Sequence, residues 1–98
     1  MINDEIKSII KSATADYGSD HWREDDFDSQ RQRIHYLEEI ADGNGWNDEA
    51  EDGVAEYLDG QTWEDANGVE HEIDLDDQDV WDYITECVCE EAEYWLED

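Results

Sequence analysis

Carboxylates are the chemical groups this chain has most of. In "DVWDYITECVCEEAEYWLED", residues 79–98, Asp79, Asp82, Glu86, Glu90, Glu93 and Glu97 recur every three or four positions. At about 100° per residue of a helix they share one narrow arc, while Trp81, Ile84, Val88, Ala92 and Trp95 hold the opposite side. Three kinds of chemistry use closely spaced carboxylates: acid–base catalysis, calcium binding and the capture of cationic side chains. Catalysis needs a carboxyl in a dry pocket that shifts its pKa. A 98-residue chain buries little more than ~60% of its unfolded surface, which leaves scant room for one. No Ser-His-Asp, Cys-His or glycine-rich phosphate loop stands out, so the chain does not read as an enzyme.

Metals fare no better. An EF-hand loop wants oxygen ligands at positions 1, 3 and 5, Gly at 6 and Glu at 12. Counting from Asp48 puts Ala50 third and Asp59 twelfth; counting from Asp74 puts Asp79 sixth and Thr85 twelfth. Zinc would draw on His21, His35, His71, Cys87 and Cys89, whose spacing fits no ligand pattern. The two cysteines lie about 200° apart on the last helix and cannot bridge each other. No metal or other cofactor is expected, and free thiols suit the reducing cytoplasm. "MINDEIKSIIKSA" at the start has no apolar run fit for a signal peptide or a membrane span.

Capture of cations remains. The chain carries 32 acids against five bases, a net charge of −27. Residues 1–33 hold all five bases (Lys7, Lys11, Arg23, Arg31, Arg33) with eight acids, and residues 34–98 hold 24 acids with no Lys or Arg. Such a surface repels nucleic acid and anionic membranes and seeks a strongly basic protein. An acidic stripe is ordinarily just a solvated helix face, but three features set this one apart. Asp82/Glu86, Glu86/Glu90, Glu90/Glu93 and Glu93/Glu97 are like-charge neighbours that together cost roughly 1–2 kcal/mol. If Asn67-Gly68 is a two-residue turn, Asp65 lies opposite Glu70, a second tolerated repulsion. Carboxylates spaced about 4.5–6 Å along the helix also approach the ~3.4 Å axial spacing of phosphates on one strand of a duplex.

The elements that must carry these groups follow from period and capping. Asn3 caps a helix with the stripe Ile6, Ile9, Ile10, Ala13 and Tyr17, stopped at Gly18. Asp25 or Asp26 caps a second, with Phe27, Ile34, Leu37, Ile40 and Ala41 inward and "DGNG" (42–45) as terminator. Asn47 caps a third, carrying Ala50, Val54, Tyr57 and Leu58 and ending at Gly60. Asn67-Gly68 marks a β-hairpin over about 62–75, in which Val69, His71, Ile73 and Leu75 alternate with acids. Asp76, Asp77 or Asp79 opens the last helix. The prediction is one domain, 1–98, of α+β class and mostly helical: three helices, a hairpin and a long acidic amphipathic helix. Glu91 falls on the apolar arc of that helix. It calls for an inward ion pair with Arg31, Arg33 or His35, or else for an interface there, such as that of a homodimer.

The acid-only stretch 34–98 and the carboxylate row of residues 79–98 resemble the DNA-mimic proteins of phages and mobile elements. That resemblance implies an inhibitor of host restriction enzymes, CRISPR effectors or other DNA-binding proteins. Its partner-binding residues would be Asp79, Asp82, Glu86, Glu90, Glu93 and Glu97. Asp48, Glu49, Asp52, Glu56 and Asp59 of the third helix, and Asp65, Glu70 and Glu72 of the hairpin, would extend them. Tyr83 and Tyr94, bordering the row, would serve as anchors. Two other readings compete: an immunity protein or antitoxin masking a basic nuclease toxin, and a salt-adapted protein whose acids only keep it dissolved. Eight isoleucines and five tryptophans fit the last less comfortably.

Overall fold

The computed structural model describes residues 2–43 and 45–97. It is α+β and mostly helical: α1 (Asp4–His21), α2 (Gln30–Asp42) and α3 (Asn47–Leu58) precede β1 (Thr62–Glu64), β2 (Glu70–Glu72) and α4 (Gln78–Glu97). Asn3 caps α1 as expected, its Oδ1 accepting the Ile6 N–H at 2.9 Å. The helix does not stop at Gly18. It continues to His21, and the Trp22 N–H reaches the Gly18 carbonyl at 2.8 Å. Gly18 instead permits close packing: a Cβ there would stand 2.7 Å from Trp95 Nε1 and 3.2 Å from Trp22 Cε3. Gly53 plays the same part in α3, where a Cβ would overlap the Tyr17 ring.

The second helix starts later than the aspartates suggest. Asp26 closes a 3₁₀ turn (Glu24–Asp26) by accepting the Arg23 N–H at 3.0 Å. Ser29 then caps α2, its Oγ accepting the Gln32 N–H at 3.1 Å. This phase turns Arg33, Leu37 and Ile40 inward and leaves Ile34 exposed, so Ile34 drops out of the predicted stripe. Gly43 ends the helix in the left-handed region (φ 76°); Asn44 of the predicted terminator lies outside the described residues. Asn47 is not the cap of α3. Trp46 holds that position with φ 59° and no side-chain cap, while Asn47 Nδ2 donates to the Ile40 carbonyl at 2.9 Å and ties α3 to α2.

α4 packs against α1, α2 and α3, and α1 also packs against α3. Ile10, Leu37, Ile40, Val54, Ile84, Val88 and Ala92 are wholly enclosed at their junction. Ile84, Val88 and Ala92 of the apolar arc of α4 are therefore interior, while Trp81, Glu91 and Trp95 on the same arc are half-buried. The hairpin pairs Thr62 with Glu72, Trp63 with His71 and Glu64 with Glu70. Its turn thus spans three residues, 66–68, with Gly68 at φ 79°. Asp65 faces Val69, not Glu70, and the like-charge opposition falls one step away, on Glu64 and Glu70. The predicted half-buried strand is also shorter and wetter: Val69 and His71 are exposed, and Ile73 alone of the alternating set is buried. No helix among the described residues is long and apolar enough to cross a membrane.

Candidate functional site

Asp77 starts α4, its Oδ1 accepting the Asp79 N–H at 2.9 Å, so the first acids of the row sit at the positive end of the helix. Asp79, Asp82, Glu86, Glu90, Glu93 and Glu97 are all exposed, on the side opposite buried Ile84, Val88 and Ala92. The fold thus displays the row along the whole 20-residue helix. Asp82 accepts a hydrogen bond from Gln78 Nε2 at 2.9 Å, one turn before it.

On α3, Asp48, Glu49, Asp52, Glu56 and Asp59 are exposed too, but they do not form one row. Glu49 and Glu56 lie on the side of the tyrosines, where their charge adds to the burial that raises the Tyr17 hydroxyl pKa. Asp48 and Asp52 follow one turn apart on α3, and Asp59 stands just past its end as the C-cap. Glu51, absent from the predicted set, joins this row to α4, because Thr85 Oγ1 of α4 donates to its Oε1. Helical phase alone places Glu51 about 60° from Asp48 around α3; that this flank meets α4 is a contact between elements.

The hairpin acids divide as well. Glu70 and Glu72 are exposed, but Asp65 is occupied by its own turn. Its Oδ1 accepts the N–H groups of Asn67 (2.9 Å) and Val69 (3.0 Å), and its Oδ2 meets His71 Nε2 at 2.8 Å. The His71 contact first, then the Val69 and Asn67 N–H groups, hold the Asp65 carboxyl below the usual range. Asp65 builds the turn and is not free for a partner. Of the two tyrosines, Tyr94 is 57% exposed, whereas Tyr83 is half-buried with Lys7 Nζ 5.6 Å from its ring centroid. Lys7 and Lys11 therefore temper one flank of the α4 row. The flank toward Glu51 is built by α3 and α4, whose residues include no Lys or Arg.

No family model matches this chain, nor does any curated protein or solved structure. The site must be judged on its own geometry.

Both cysteines are free, and burial pushes the Cys87 thiol up to about 11, so it packs as a small apolar group. Glu91 has none of the predicted ion partners: no salt bridge joins it to Arg31, Arg33 or His35. Burial raises its carboxyl pKa, and the nearby Trp95 indole opposes that shift without reversing it. A carboxyl whose folded pKa lies above its unfolded value, ~4.3, loses stability as pH climbs through that window. Glu91→Gln is therefore expected to be more stable than the parent at pH 7. The advantage should vanish below about pH 4, where both states hold the proton. Urea midpoints at the two pH values check this; an advantage of equal size at both would contradict it.

Proposed function

We propose that this protein is an acidic mimic of DNA that occupies the basic DNA-binding site of a host defence or DNA-processing protein, a restriction enzyme or CRISPR effector above all. The observation that carries this reading is linear charge density. The molecule measures 49 × 23 × 20 Å, and its 27 net negative charges along the long axis amount to about one per 1.8 Å. Duplex DNA presents one per ~1.7 Å. A basic channel shaped to neutralise a duplex meets the same charge per unit length on this protein.

The two carboxylate rows of α4 and α3, joined at Glu51, provide a rigid surface on which Lys and Arg side chains can settle. Because the fold fixes the rows, binding spends nothing on bending a duplex. The overall field speeds encounter with a basic partner. Direct contact with nucleic acid or an anionic membrane is opposed by the same field. The workplace that suits two free thiols is the cytoplasm, that of the host cell for a phage-encoded inhibitor.

Capture of host-lysate proteins on the immobilised protein, washed at rising salt and then eluted with duplex DNA, tests this reading. One nuclease or DNA-binding complex should survive moderate salt and be released by the duplex. Retention of many basic proteins, all lost at moderate salt and none displaced by DNA, would reject mimicry and leave charge alone.

A further inference from the structure

Rows of exposed carboxylates attract any cation, but the fold also builds a hollow with more definite chemistry. Phe27, Tyr36 and Trp46 come from three successive segments and form a continuous aromatic wall. The Phe27 and Tyr36 centroids are 5.4 Å apart, and those of Tyr36 and Trp46 are 5.1 Å apart with their planes tilted by 35°. Together with Gln32, His35 and Glu49 they line a cavity of about 380 Å³.

Trp46 gives the cavity its significance. Among the described residues it is the one non-glycine with a left-handed backbone, at φ 59° and ψ 5°. That conformation is costly for a bulky side chain. The position also begins α3, where Ser, Thr, Asp or Asn would supply a cap, and Trp46 supplies none. The chain thus forgoes backbone ease and a helix cap, and gains an indole that is 44% exposed at the mouth of the hollow. Burial, then the charge of Glu49, raises the Tyr36 hydroxyl pKa, so the field of that carboxylate reaches the wall.

We propose that this hollow binds the guanidinium of one arginine side chain of the basic partner, laid flat on the Tyr36–Trp46 wall with its edge toward Glu49. Tyr36 stands between Phe27 and Trp46, so a ligand in the hollow meets the exposed Trp46 indole with Glu49 on the same lining. A planar, weakly hydrated guanidinium suits this, and its fork matches a carboxylate; the compact, strongly hydrated ammonium of lysine does neither as well. His35 lines one side of the hollow edge-on to Trp46, ring centroids 6.0 Å apart, with its Nε2 3.5 Å from Glu39 Oε1. That the arginine belongs to a DNA-binding protein rests on the function proposed above; the preference for arginine does not.

The test therefore uses small probes. N-acetyl-arginine amide and N-acetyl-lysine amide are titrated at ~0.15 M salt, where surface attraction is largely screened, while the tryptophan indole N–H resonances and the backbone amide resonances around Tyr36 and Glu49 are followed by NMR. The arginine probe should move the Trp46 resonance to saturation and bind at least about fivefold more tightly than the lysine probe. Trp46→Gly, which suits the left-handed backbone, and Glu49→Gln should each remove most of that preference without lowering the melting temperature. Equal affinity for the two probes would overturn the proposal, as would a Trp46→Gly variant that binds like the parent. Reversing charges on α4 should leave arginine binding intact while abolishing capture of the macromolecular partner, so failure of the hollow and failure of the mimicry are separately visible.

Discussion

Replacing Asp82, Glu90 and Glu97 together by lysine is expected to abolish partner binding and, in the same molecule, to stabilise the fold. The three sites alternate with Asp79, Glu86 and Glu93, so every like-charge neighbour along the exposed row of α4 becomes an oppositely charged one. Each such pair changes from a repulsion to an attraction of ~0.2–0.5 kcal/mol, and the sum, discounted for exposure and salt, is a gain of about 1–2 kcal/mol. The loss of the Gln78 contact to Asp82 subtracts little, since both groups are exposed. Against a basic site, each lysine places like charges together, which costs several kcal/mol. Affinity should therefore fall by at least about 100-fold. Calorimetric titration against the captured partner and urea denaturation read the two effects independently. Undiminished binding by a folded triple variant would end the mimicry reading.

Arg33→Ala should have the largest effect on stability, about 2–4 kcal/mol, from a lost hydrogen bond to a charged donor, an orphaned carbonyl and lost packing. Arg33 is the buried base of the fold, 6% exposed. Its Nε donates to the Trp22 carbonyl at 2.8 Å, just past the end of α1, where a cation also meets the negative pole of the helix. Its guanidinium carbon stands 5.8 Å from the Trp95 ring centroid. Arg33→Lys should recover only part of the loss, because an ammonium cannot stack and donate in that plane. Denaturant midpoints of the two variants decide the matter. If lysine restores full stability, charge alone mattered.

How far these features were legible from residues alone depends on how far apart their causes lie in the chain. α4 was legible because its apolar and acidic positions keep one period over 20 residues. That period fixes which side is wet whatever the helix packs against. The start of α1 was legible because Asn3 is followed directly by Asp4 and Glu5, acids that suit the first turn of a helix. The start of α2 was not, since Asp25, Asp26, Asp28 and Ser29 can all cap, and the choice falls to the packing of Leu37 and Ile40. Gly18 misled because a glycine that ends a helix and one that admits a neighbour look alike locally, and the neighbour, Trp95, is 77 positions away. The hairpin register slipped by one because Asn67-Gly68 serves a three-residue turn as readily as a two-residue one. The exposure of the candidate acids was largely foreseen. Their joining at Glu51, the diversion of Asp65 into its own turn and the aromatic wall around Trp46 all depend on contacts between elements.

Glu5 accepts the Glu64 N–H at 2.7 Å, from the first turn of α1 to β1. That N–H is an outward donor on the rim of a two-stranded sheet, the kind of group that recruits strands from other molecules and seeds aggregates. Glu5 occupies it, and exposed Glu64, Glu70 and Glu72 surround it with charge. The acidity that would make the molecule resemble a duplex thus also guards its two-stranded sheet against self-assembly. That guard is chemical, not steric: a hydrogen bond and a ring of like charge.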